Sequence, residues 1–154
     1  MKKVILLLAI GSLILFSSCD DDVNNFDLDK DPLSGKIGGV DWSYTGGRVD
    51  YSTISNQAAG KIFDQELTDP CLTVNTINAH LDIALFTALG TYNIGLLNSG
   101  EVRFILPNSS ARYTAATGFI QIVEVTQFEI IGYLSARWDD DNFVEGSFLV
   151  NICN

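Results

Sequence analysis

Four groups of residues in this chain have the side chains and spacing that chemistry can use. Asp27, Asp29 and Asp31 keep the alternate-residue spacing with which a calcium loop converges oxygens on one cation. Pro32 stands where that loop needs a glycine for its tight turn, and Gly38 stands where a bidentate glutamate would close the shell. The segment therefore reads as a solvated linker. Asp139-Asp140-Asp141-Asn142 lies between two strong strand patterns, and both residue types tolerate turn backbone, so a hairpin turn is preferred there to a weak calcium site. His80 is the single histidine, which excludes multi-histidine metal centres and leaves one partner for any nucleophile. Beside Leu81-Asp82 in an expected strand it reads as a surface or packing residue. Glu124 and Glu129 flank one turn and imitate the paired carboxylates of a glycosidase, but nineteen acidic residues make such pairs common by chance. They read as solvated strand-face charges.

No G-x-S-x-G elbow, phosphate-cradling glycine loop, H-E-x-x-H or C-x-x-C is present. The residues predict no catalytic group, no metal, no cofactor and a non-enzymatic protein. Aromatic rings carry the remaining binding signal: Tyr44, Tyr51, Tyr92, Tyr113, Tyr133 and Trp138 would make a sugar-stacking platform if several shared an exposed face. Core and cross-strand packing account for them more simply, and Trp42, beside a glycine turn, belongs to the core.

The first twenty-two residues address the chain. Lys2 and Lys3 precede an apolar run from Val4 to Phe16, followed by Ser17-Ser18-Cys19 and three aspartates. The run covers about thirteen residues where a membrane-spanning helix needs about twenty, so residues 1–18 read as a cleaved secretory signal. Leu15-Phe16-Ser17-Ser18-Cys19 resembles a lipobox, with Phe16 departing from the usual aliphatic residue. The resemblance implies that Cys19 is acylated and becomes the first residue of a membrane-tethered lipoprotein, anchored essentially permanently by its several chains. Residues 19–32 read as a lipidated, acidic, flexible tether too poor in apolar residues to offset its ordering entropy. Such acid-rich segments after the cysteine resemble those of Bacteroidetes-type lipoproteins displayed on the outer membrane. The expected location is therefore the cell surface, with a periplasm-facing anchor as the alternative.

Without Lys2 and Lys3 the mature chain holds seven basic residues against nineteen acidic ones, so nucleic acid is not expected as a partner. With Cys19 committed to lipid, Cys71 and Cys153 remain as an even pair outside the reducing cytosol, and a disulfide is expected.

Residues 33–154 are long enough for one domain with its own core. Their periodicity is two. Ile130, Gly132, Leu134 and Ala136, extended to Phe128 and Trp138, share one face; Val144, Gly146, Phe148, Val150 and Ile152 repeat the pattern, and Ile120 and Ile122 supply a third strand. These three strands form a C-terminal antiparallel meander. Upstream, short strands are expected at 34–37, 42–44, 47–51, 61–67, 72–74, 81–86 and 102–106, with a short helix over 77–89 as the alternative at one place. The predicted fold is all-β, an antiparallel sandwich or partly open barrel of about eight short strands.

Gly35-Lys36-Ile37-Gly38-Gly39-Val40-Asp41-Trp42, Gly90-Thr91-Tyr92-Asn93-Ile94-Gly95, Gly118-Phe119-Ile120-Gln121-Ile122, Ile131-Gly132-Tyr133-Leu134-Ser135-Ala136 and Gly146-Ser147-Phe148 resemble a family of uncharacterised Bacteroidetes lipoprotein domains. These motifs are glycine and aromatic strand punctuation; the resemblance implies a β fold and assigns no activity. The expected function is a non-enzymatic envelope module that binds the membrane through Cys19 and recognises a carbohydrate, peptide or protein partner. A lipocalin-like carrier of a small ligand is the alternative, and a hydrolase ranks behind it.

Overall fold

Period-two placement of Ile120 and Ile122, of Ile130 to Ala136 and of Val144 to Ile152 leaves the backbone one economical way to bury its apolar side chains, a sheet with one wet face. The computed structural model describes residues 31–52, 55–72, 77–95 and 100–153. The signal peptide expected over residues 1–18, Cys19, Asp27, Asp29 and the strand expected over 73–74 lie outside these residues. Within them every regular element is a strand. In chain order these are β1 (Ser34–Ile37), β2 (Val40–Ser43), β3 (Gly46–Ser52), β4 (Gln57–Phe63), β5 (His80–Phe86), β6 (Gly90–Asn93), β7 (Glu101–Ile105), β8 (Arg112–Thr114), β9 (Thr117–Val125), β10 (Glu129–Arg137) and β11 (Phe143–Cys153). The all-β expectation holds, and residues 80–86 choose strand over helix.

The strands form one curled sheet in the order β6-β9-β10-β11-β3-β4-β5-β7-β8, a partly open barrel. The meander β9-β10-β11 is antiparallel, as its short turns require. The register also contains a parallel pairing that the alternation does not signal: β11 lies along β3, with Asn151 opposite Arg48 and Cys153 opposite Asp50. The edge of β11 facing away from β10 is divided between two neighbours. Its first residues pair with β1 and its last with β3.

At Ala115-Ala116 the chain turns a corner that draws the two ends of the sheet together. The Ala115 N–H donates to the Val102 carbonyl of β7, and the Ala116 N–H donates to the Arg137 carbonyl of β10. Inside the curl, Ile62, Leu81, Leu85, Val102, Phe104, Ile120, Ile122, Ile130, Leu134, Phe148 and Val150 pack as one buried cluster. Each such side chain contributes roughly 1.5–3 kcal/mol relative to exposure. Gly60 permits the close approach of β4 to β3, since a Cβ there would stand 1.9 Å from the Arg48 carbonyl oxygen. The β1–β2 hairpin folds over one end, where Trp42 is buried and its Nε1–H donates to the Ala79 carbonyl at 3.2 Å.

Four expectations change. Strand β4 begins at Gln57 and ends at Phe63, four residues earlier than the expected start and end, because cross-strand pairing accepts Ala58, Ala59 and Gly60, which carry little hydrophobic signal of their own. Residue 72 is not in a strand. Strands β6 and β8 are additional, each held by hydrogen bonding to a longer neighbour. Phe128 and Trp138 lie just beyond the paired residues of β10, so they leave the buried face and stand exposed.

Candidate functional site

The pairing register lines up outward-facing residues from strands that are far apart in sequence. Lys61 of β4, Asp82 of β5 and Arg103 of β7 stand directly opposite one another. The adjacent row is Ala59, Ala84 and Glu101. Between these rows is a shallow depression of about 440 Å³ floored by Ala59, Gly60 and Ala84. Small side chains leave the backbone open there, and charged ones stand at the borders. Lys61 Nζ and Asp82 form a close ion pair. Arg103 Nε donates to Glu101 Oε1 at 2.6 Å, and one strand further on Arg48 pairs with Asp50 at 2.8 Å.

His80 adjoins this row and is buried, with its ring beside Phe63 at a centroid distance of 5.8 Å. Its Nδ1 is 2.9 Å from the Asn78 carbonyl, which can only accept, so Nδ1 carries the proton. The Nε2 lies 3.1 Å from Lys61 Nζ and 3.5 Å from Asp82 Oδ1. Burial alone would raise the Asp82 carboxyl, but its contacts with His80 and the charge and hydrogen bond of Lys61 outweigh burial and hold it at about 2. Asp82 is thus a carboxylate engaged by a cation. No serine, threonine or cysteine lines the depression. The arrangement can hold a ligand by charge and shape.

The other candidate residues are dispersed. Cys71 and Cys153 are joined by a disulfide with a Cα–Cα distance of 5.3 Å, as expected, and the Cys71 carbonyl accepts from Arg48 at 3.2 Å. The Asp31 carbonyl accepts from both the backbone N–H and the hydroxyl of Ser147. Asp139 to Asn142 form the β10–β11 turn: the Trp138 N–H donates to the Asn142 carbonyl, and the Asp141 N–H to Asp139 Oδ1. Glu124 and Glu129 sit near the β9–β10 turn, at the end of β9 and the start of β10.

The six aromatic candidates do not gather on one face. The Tyr44 hydroxyl donates to the Leu149 carbonyl at 2.6 Å, Tyr92 stacks on Phe86, and Tyr113 stacks on Trp138. Tyr51 is exposed at the end of β3. Tyr133 and Phe119 form the one pair on the outer face of the meander, with centroids 5.9 Å apart and planes within 14°. The Tyr133 hydroxyl donates to Glu145 at 2.8 Å; burial and that carboxylate raise the phenol to about 12. The charged row Lys61, Asp82 and Arg103, with Glu101 beside it, is what reading the sequence missed, because these residues meet only once the register is known. Comparison with family models, curated proteins and solved structures finds no match for the chain.

Proposed function

We propose that the chain is a non-enzymatic binding module of the cell envelope, lipid-anchored at Cys19 and displayed outward, that recognises a peptide segment of a protein partner on the outer face of β4, β5 and β7. The small-residue depression beside the charged row Lys61, Asp82 and Arg103 carries this reading. A peptide laid across Ala59, Gly60 and Ala84 meets little steric bulk, its carboxylates reach Lys61 and Arg103, and its cationic groups reach Asp82 and Glu101. The packed inner face of the curl supports recognition on the outside over carriage within. The engagement of Asp82 by Lys61 supports binding over hydrolysis. The resemblance of residues 15–19 to a lipobox supports the anchor.

A second reading, sugar recognition, is favoured by the parallel Phe119–Tyr133 pair with Gln121 beside it in the register. The two separate in one experiment, in which a pool of charged random peptides and a panel of neutral glycans are offered to the immobilised protein. Ala84→Trp fills the depression and is expected to abolish peptide capture alone, whereas Tyr133→Ala is expected to abolish glycan capture alone. Capture unchanged in both variants overturns both sites. Intact-mass and surface-protease measurements on native protein in its own cells test the anchor, and a mature mass without acyl chains overturns it.

A further inference from the structure

Strand β2 has a strand on one side of its backbone and, among the described residues, none on the other. It pairs with β1, where Val40 stands opposite Ile37 and Trp42 opposite Gly35. The Tyr44 N–H donates to the Leu33 carbonyl on that same side, which fixes the phase of the ladder. Residues 40, 42 and 44 therefore turn their backbone groups toward the chain of β1. Along a strand these directions alternate, so the N–H and C=O groups of Asp41 and Ser43 point to the open edge.

Beside β2 lies a groove of about 280 Å³. Ile37, Val40, Trp42 and Pro107 supply its apolar lining, and Asp41 and Asp64 line it as well. Val40 is 68% exposed there, while Trp42 beneath it is buried. The charge around the groove has one sign. Asp41 and Asp64 are exposed, and Asp141 lies against the hairpin tip, where a Cβ on Gly39 would stand 3.3 Å from its Oδ1. Lys36 stands opposite Asp41 in the β1 ladder and does not line the groove.

We infer that the open edge of β2 accepts an extended basic peptide as an added strand. Its backbone bonds to Asp41 and Ser43, and an apolar side chain enters the groove beside Val40 and Trp42. The flanking side chains, on the opposite face of the added strand, are lysine or arginine and meet Asp41, in a field that Asp64 and Asp141 reinforce. Charge selects this occupant. A second copy laid β2 against β2 would bring acidic edges together, and like charges on neighbouring strands repel; the aspartate-rich residues 20–29 of the chain are disfavoured for the same reason. The site shares no lining residue with the depression on β4, β5 and β7, so it stands or falls separately from the function proposed above.

The test titrates the protein with the peptide acetyl-Lys-Val-Lys-Leu-Lys-Val-Lys-amide and with its counterpart carrying glutamate for lysine, while amide hydrogen exchange is followed residue by residue. The Asp41 and Ser43 amides are expected to exchange freely in the protein alone and to become protected at saturating basic peptide. The Trp42 and Tyr44 amides should be protected in both. Ser43→Pro removes an outward N–H and leaves the β1 ladder its bonds, and Asp41→Lys reverses the charge; each is expected to weaken binding about tenfold or more. Absence of binding, binding that leaves the Asp41 and Ser43 amides unprotected, or equal affinity for the glutamate peptide overturns the inference. Protection of the same amides that rises with protein concentration in the absence of peptide also overturns it and assigns the edge to a second copy. Should Ser43→Pro fail to fold, the exchange pattern and Asp41→Lys still decide.

Discussion

Asn142 Oδ1 accepts the backbone N–H of Gly38 at 2.9 Å across 104 residues of sequence, joining the β10–β11 turn to the β1–β2 turn. The same side chain donates to Asp139 Oδ1 at 2.9 Å, and the Asp141 carbonyl accepts the Gly39 N–H at 2.8 Å. Asn142 is buried, so water is poorly placed to replace these bonds. Asn142→Ala is expected to cost about 1–3 kcal/mol, because the Gly38 N–H loses its acceptor. A urea midpoint unchanged from the parent would show that this tie contributes nothing.

Acid should reveal the Asp82 pairing. Its folded carboxyl lies at about 2 against an ordinary 3.8, so the unfolded chain takes up the proton first. The stabilisation is fully present above pH 4 or so and is lost as pH falls toward about 2. Asp82→Asn is expected to flatten this part of the stability profile and to cost about 1 kcal/mol at neutral pH, a small amount because both partners reach solvent. Denaturant midpoints measured at several acidic pH values check it; an Asp82→Asn profile parallel to the parent in that window contradicts the pairing.

Gly60→Ala should be far costlier than its size suggests. The added Cβ would overlap the Arg48 carbonyl oxygen and stand 2.6 Å from the Val49 Cα, contacts that only separation of β3 from β4 would relieve. A loss of about 3 kcal/mol or more is expected, while the neighbouring exposed Ala59→Ser stays within about 0.5 kcal/mol. Thermal melting of the two variants side by side distinguishes backbone crowding from general sensitivity of the strand.

The disulfide joins cysteines 82 positions apart in the chain. Loop-closure entropy then contributes up to about 4 to 5 kcal/mol. Cys71→Ser, Cys153→Ser and the double variant are expected to lose similar amounts, and a reductant should destabilise the parent alone. Further loss in the double variant beyond either single one would assign the effect to packing at the two sites.

How much of this was readable follows from where each signal lives. Strands β9, β10 and β11 were legible because each is nine residues or longer and keeps a period of two over most of its length, most regularly in β10. Strand β4 was displaced because Ala58, Ala59 and Gly60 give periodicity nothing to register, and β6 and β8 were too short to show a period. Phe128 and Trp138 kept the alternation in sequence after the ladder had ended, so period alone placed them inside. The juxtaposition of Lys61, Asp82 and Arg103 depends on the registers of β4 with β5 and of β5 with β7, which are non-local quantities. His80 was readable as a packing residue, but its partner Lys61, nineteen positions away, was not.

Strand β11 follows the other described strands in the chain yet sits in the interior of the sheet, bonded to β10 on one side and to β1 and β3 on the other. It works as a keystone. Until β11 is in place, the β1–β2 hairpin and the sheet from β3 onward have no common neighbour, so their assembly waits for contacts of long sequence separation. Loss of residues 143–153 therefore does not trim the molecule; it removes the piece that its first and middle parts share.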